Sequence, residues 1–537
     1  MKKTLMFLFI SILLIITGCG VNSSETAGAN KKKASNEVKE TGDELPTIKI
    51  GWSNNGYPSP FTFSSAGPGG FLHNNFLFDT LTWKDDTGII PWLAKEWNVS
   101  DDGLTYEFQL EKDVSFHDGK PLTADDVVFT FDYFAKNPFP WNADISYVKS
   151  VKKLDDYSVE VTLKEAYSPF ITEVAGILPI LPKHIWEKVD QPLEYTEKDA
   201  VIGSGPFVLD HYDEKDGNYL FLPNENFFKG TVAVKEVQYL NVENRVLSLQ
   251  NDEINAGMTF MYSDVEEMKE KGFDVIKSEP TGSAVRIVFN LEHDQLGDKR
   301  LRQALAYALD RETLAEKATG GGEPIVGSAG IVPPDSAWYN KDVKQYDYNL
   351  EKAERMLDEL GYKKNSKGIR EDLKLNVMVS DTSSESQLMQ EMLKKIGVEL
   401  NIQQVDQATF TTALGENNYD MAITGHIGLS GDPDFLRLWF TGEASNAYAA
   451  RGKSFKNKEF HKLADKQLGI LDEKDRKVVI DQMQDILADE LPTLVLYHRP
   501  FYFIYDAQQF DGWFNTAGGI ADGIPLWENK AAFINAD

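Results

Sequence analysis

The sequence predicts an α/β protein of more than one domain, and three observations carry that reading. The chain has 537 residues, enough for two or three domains. Residues 285–405 alternate between two periods. Leu373, Leu375, Val377 and Val379 share one face of a strand, while Leu350, Ala353, Leu357 and Leu360 form one helical stripe that stops at Gly361. Such alternation builds sheets covered by helices. Finally, Tyr106, Phe108 and Leu110, and again Val159, Val161 and Leu163, repeat with period two, which predicts an antiparallel pair of half-buried strands.

Composition narrows the function. The net charge of −29 argues against nucleic acid, whose phosphates need a basic face. The 31 Phe, 21 Tyr and 10 Trp suit large cores and also an aromatic-lined cleft. The single cysteine, Cys19, rules out a disulfide framework within the chain.

Residues 1–18 combine the basic Lys2 and Lys3 with an apolar run from Leu5 to Ile16. This reads as a secretion signal, too short for a membrane span. Ile16-Thr17-Gly18-Cys19 resembles the bacterial lipobox, which implies that Cys19 is acylated and serves as an anchor. Residues 19–45 are polar and small, without apolar periodicity. They read as a flexible linker with a typical reach of roughly 25–30 Å.

The globular chain starts near Pro46. Thr47 to Gly51 is a first strand, followed by a loop rich in Gly, Pro, Ser and Asn that carries Tyr57, Phe61 and Phe63. These aromatics either line a ligand cleft or cover a small core of the loop itself. Asp101-Asp102-Gly103 and His117-Asp118-Gly119 are turns. Thr123 is an N-cap with Asp126 in the capping-box position, and Val127, Phe131 and Phe134 share a helical face. His184 reads as a structural surface residue. Gly203-Ser204-Gly205-Pro206 is a turn and not a phosphate cradle, because Pro206 removes a donor and no Gly-Lys-Ser/Thr follows. Asp298 caps a helix whose Leu301, Leu305 and Leu309 face inward and whose Arg300 and Arg302 face solvent. A strand over 418–423 leads to a loop with Thr424-Gly425-His426 and then Asp432-Pro433-Asp434.

No HExxH, GxSxG, Walker A or CxxC motif is present, and no two of the eight His lie at i, i+3 or i, i+4. The sequence therefore predicts neither an enzyme nor a cofactor. His426 is either a ligand contact or a structural residue. Asp432 and Asp434 either hold an ammonium group or cap a turn around Pro433.

Residues 92–134 carry the most specific string. Leu93-Ala94, Trp97, Ser100, Asp102-Gly103, Phe108, Leu110, Val114, Phe116, Asp118-Gly119, Pro121, Thr123-Ala124 and Asp126-Val127 closely resemble the signature of the family 5 extracellular solute-binding proteins. These are the peptide- and nickel-capturing components of ABC importers. Leu181-Pro182-Lys183-His184, Gly203 to Phe207 and Asn224 to Gly230 resemble later landmarks, and the likeness runs from about 46 to 530. Glu111 departs from it, standing where the family usually has Arg.

The resemblance implies a periplasmic-binding-protein-like type II fold, with two lobes, an extra subdomain and a hinged cleft. Domain I would take 46–82, 203–284 and 497–537, domain II 83–202, and domain III 285–496. It implies a monomer, lipid-anchored outside the cell membrane, that passes oligopeptides or dipeptides to a permease with its ATPase subunits. Peptide binders often carry an Asp four residues before the Pro of the 433 loop. Here that position is Leu429, leaving Asp432 and Asp434 as the candidate carboxylates. Pro91 to Lys95 and Ala166 to Phe170 look like the nickel-binding branch. A nickel or nickel–chelator complex, with His426 as ligand, is therefore the first alternative, and a peptide sensor the second.

Overall fold

The computed structural model describes residues 45–65, 74–138, 143–279, 281–380, 383–427, 429, 431–441, 455–517 and 526–535. Cys19 and the expected signal and linker lie outside these, as does the Phe63 side chain. Residues Gly42–Asp537 form one compact unit that holds all the sheets and apolar clusters described below. Among the described residues no helix is long and apolar enough to cross a membrane.

Ile48 and Ile50 alternate with Thr47 and Lys49 and are buried. They place Thr47–Trp52 at the centre of a seven-stranded sheet. Its order is Asp274–Lys277, Tyr502–Tyr505, Ala256–Thr259, Thr47–Trp52, Glu236–Asn241, Asn218–Pro223, Phe207–Asp213. The strands thus come from three distant parts of the chain.

The signature stretch builds an antiparallel sheet in the order Ala94–Val99, Thr105–Leu110, Ser158–Leu163, Val148–Asp155. Tyr106 pairs with Val161 and Phe108 with Val159, as the two alternations predict. Helix Ala124–Lys136 crosses this sheet. Thr123 and Asp126 form the expected capping box, and Val127, Phe131 and Phe134 are buried. His184 Nε2, on the short helix Lys183–Trp186, lies 2.8 Å from Asp118 Oδ2, a surface pairing of that helix with the His117-Asp118-Gly119 turn. The seven- and four-stranded sheets share one continuous apolar cluster. Gly203 and Gly205 lie where the chain passes back over residues 76–77. A Cβ on Gly203 would meet the Leu77 carbonyl oxygen at 1.9 Å, and one on Gly205 the Phe76 carbonyl oxygen at 2.4 Å, so the crossing requires glycine.

The six-stranded sheet has its own core. Its order is Ile325–Val326, Thr493–His498, Ser283–Phe289, Met421–Ile427, Lys374–Val379, Glu399–Gln404. Val285, Ile287 and Phe289 face one cluster, Ala284 a second and Val288 a third, on the other side. Helices Lys299–Ala308, Leu350–Glu359 and Ser384–Lys395 supply the first of these clusters.

Two expectations change. Arg300 is exposed and pairs with Asp298, but Arg302 is only 3% exposed. Its guanidinium donates to the carbonyls of Leu491 (3.0 Å), Leu296 (2.5 Å), Gly297 (3.1 Å) and Glu490. Helix Glu473–Glu490 ends there, and its terminal carbonyls need donors. The strand expected over 418–423 instead runs Met421–Ile427, so His426 sits in a ladder opposite Ala284 and not in a loop.

Candidate functional site

The chain passes between the seven- and six-stranded sheets twice, from Asp274–Lys277 to Ser283–Phe289 and from Thr493–His498 to Tyr502–Tyr505. The two connections run side by side. Ser278 N donates to the Phe501 carbonyl at 2.8 Å, and Phe501 N donates to Ser278 Oγ at 2.8 Å. Ser283 Oγ donates to the Arg499 carbonyl. Thr281 donates to Asp335 Oδ2 through both N (2.7 Å) and Oγ1 (2.6 Å).

His498 is fully buried beside this pair. Its Nδ1 lies 3.0 Å from the Ser283 carbonyl, an acceptor, so the proton sits on Nδ1. Burial lowers its pKa to about 4. An aromatic floor adjoins the crossing. Phe501 contacts Phe260 (4.4 Å between centroids) and Trp527 (5.7 Å), Trp527 contacts Trp52 (5.9 Å), and Arg499 covers Phe260 at 3.9 Å. Trp52 and Phe260 are half-buried. Two hydrogen-bonded connections beside an aromatic floor therefore join two sheets whose apolar clusters are separate.

On the six-stranded sheet, Arg286 pairs with Thr424 and Ala284 with His426, so Arg286 and His426 share a face. Trp439, from the short helix Phe435–Phe440, lies over them. Its ring is 3.8 Å from the Arg286 guanidinium carbon and 4.4 Å, edge-on, from His426. Arg286 and Trp439 were not singled out from sequence. The available signal was a charged residue within the apolar run Ser283–Phe289.

The candidate carboxylates are already engaged. Asp432 takes Arg476 through two bonds, 2.6 and 2.7 Å, and also accepts the Asp434 N–H at 2.9 Å. Asp434 takes Arg437 through bonds of 2.8 and 2.7 Å, and Gln467 Nε2 at 2.5 Å. Gln467 Oε1 accepts Arg476 Nε at 2.8 Å, which joins both pairs. Asp432 does cap the turn around Pro433. Each of the two carboxylate charges is matched by a buried arginine.

Tyr57 and Phe61 separate as well. Tyr57 is half-buried, donates to the Glu197 carbonyl at 3.2 Å and meets Tyr212 edge-on. Burial and the nearby Asp199 raise its pKa. Phe61 is buried between Phe134 (5.1 Å) and Trp186 (5.6 Å) and belongs to the core.

A sequence model of the bacterial extracellular solute-binding proteins, family 5 middle, matches residues 88–448. The oligopeptide-binding protein AppA of Bacillus subtilis is 29% identical over 524 residues, 93% of each chain. The solved structure of AppA from Bacillus subtilis with a nonapeptide aligns at a TM-score of 0.69 and 26% identity, covering 86% of this chain and 95% of that one. NikZ from Campylobacter jejuni in complex with Ni(L-His) aligns at 0.72 and 25% identity, covering 86% and 94%. The fold is that of the type II periplasmic binding proteins. With a family match over residues 88–448 and this architecture, the chain belongs to the bacterial extracellular solute-binding proteins of family 5.

Proposed function

We propose that the protein is the extracytoplasmic receptor of an ABC importer and that it captures oligopeptides. The carrying observation is the pair of antiparallel connections, Ser278 to Ser283 and His498 to Phe501, which joins two separately cored bodies over an aromatic floor. Ligand enters the gap, the bodies close on it, and the closed form docks on a permease. Ligand drives closure only by binding the closed form better than the open one. In this reading the moving lobe is 285–496, and the other comprises 46–284 and 497–537. The oligopeptide assignment is supported by the 29% identity with AppA over nearly the whole chain.

Cys19 would carry the acyl anchor, with 19–45 as tether, and the receptor would work as a monomer. Tyr57 and His426 are the proposed ligand-facing groups. A nickel–chelator ligand is the second reading, favoured by the likeness to NikZ and by the exposure of part of His426 on the lobe.

Thermal unfolding of segment 42–537 tests the assignment. A random peptide pool at about 100 times its apparent dissociation constant stabilises a receptor by about 2.7 kcal/mol. Stabilisation by the pool and none by nickel with histidine supports the peptide reading. The reverse result replaces it.

A further inference from the structure

Helix Lys458–Leu468 ends in a short turn before helix Glu473–Glu490 begins. The end of this helix leaves its own body. Leu468 is 7% exposed, yet its side chain belongs to the apolar cluster of the four- and seven-stranded sheets and not to that of the six-stranded sheet. Its carbonyl accepts Ser168 N–H at 2.7 Å, and Ser168 Oγ lies 3.4 Å from the Gln467 carbonyl.

Leu471 lies against the Asp101-Asp102-Gly103 turn of the signature stretch. A Cβ on Gly103 would stand 2.8 Å from Leu471 Cδ1, and Gly103 holds φ +69. The positive φ favours glycine there, and any side chain would press on Leu471. The ion pairs of Asp432 and Asp434 converge on Gln467, at the base of this arm, and Gln467 is fully buried. Tyr147 and Tyr167, stacked at 4.2 Å, belong to or pack against the same apolar cluster as Leu468. Burial, then the Asp434 carboxylate, raises the Tyr167 hydroxyl pKa.

We propose that the Gln467–Leu471 arm is a closure latch: Leu468 docks into the four-stranded body and sets how much of the ligand-free receptor is closed. The inference rests on the hinged-cleft reading above. It gives the two aspartates a role, because their arginine pairs hold the arm rigid. Opening exposes Leu468 and breaks the Ser168–Leu468 bond. Apparent ligand affinity then falls in proportion to the closed fraction. Losing one buried leucine side chain shifts such an equilibrium roughly tenfold to a hundredfold.

Segment 42–537 has no cysteine. Lys152→Cys and Lys374→Cys, at side chains 64% and 60% exposed, place one spin label on each body. Distances are measured by pulsed electron paramagnetic resonance without ligand and with a random peptide pool. Leu468→Ser is expected to move the ligand-free distribution to the longer distance and to raise the half-saturating pool concentration about tenfold. Gly103→Ala, which wedges Leu471 of the same arm from the other body, is expected to act in the same direction and decides the matter alone if Leu468→Ser does not fold. Parent-like distributions in both variants, with the pool still closing the parent, overturn the latch and leave the receptor function standing. A shift in the variants with no response of the parent to the pool supports the latch and overturns the peptide reading.

Discussion

Replacing Asp434 distinguishes a structural carboxylate from a ligand-binding one. Asp434 and Arg437 have side chains 4% and 3% exposed, joined by two short bonds, with Gln467 on the same carboxylate. Asp434→Ala removes the carboxylate and leaves the guanidinium and the Gln467 amide in a dry site. Breaking one side of such a pair costs about 3–5 kcal/mol. For a body the size of residues 285–496 that is a fall in melting temperature of about 6–20 °C. Asp434→Asn keeps the shape and one acceptor and should lose about 1–3 kcal/mol. Differential scanning calorimetry reads both, and titration with a random peptide pool reads affinity in parallel. The structure predicts a large thermal loss for Asp434→Ala, an intermediate one for Asp434→Asn, and only a modest drop in affinity while the protein is folded. An unchanged melting temperature with abolished peptide binding would refute the reasoning and make Asp434 a ligand group.

Further outcomes follow from other buried charges. Lys530 and Asp79 are both fully buried and 2.6 Å apart, with Trp92 Nε1 and Ser204 Oγ also donating to Asp79. Lys530→Ala should cost about 3–5 kcal/mol in urea unfolding, and Asp79→Asn combined with Lys530→Met should recover most of it. A double variant no better than the single one contradicts this. His498, its pKa lowered to about 4 by burial against an ordinary 6.5, stays neutral in the fold while the unfolded chain protonates. Stability is therefore lost as pH falls from about 6.5 towards 4, by up to about 3 kcal/mol from this group, and is flat with respect to it above 7. In calorimetry at stepped pH, His498→Asn should flatten that acid limb. An unaltered limb would mean other groups set it.

What was legible in the sequence was local. The period-two strands around Phe108 and Val159, the Thr123–Asp126 cap, and the Leu350–Leu357 stripe need only neighbours a few residues away, and each stands where expected. Long-range pairing was not legible. Arg302 reads as solvated from helical spacing alone, since the carbonyls it caps lie at Glu490 and Leu491, nearly two hundred residues on. Asp432 and Asp434 read as carboxylates that either hold an ammonium group or cap the turn around Pro433. Nothing local says that the partner of Asp432 is Arg476, 44 residues later on helix Glu473–Glu490. From sequence, His426 reads as a loop residue that follows a strand over 418–423. The ladder with Ser283–Phe289 overrides that reading. Gly103 reads as an ordinary turn glycine, and its contact with Leu471 appears only once the two bodies meet.

The central claim, that the cleft captures peptides, is tested most directly by native mass spectrometry of segment 42–537 as purified and after addition of a random peptide pool or of nickel with histidine. The account predicts retained, heterogeneous masses of peptide composition that exchange with the pool. A uniform shift of one nickel ion with a small chelator, or no retained mass under any of these conditions, would contradict it.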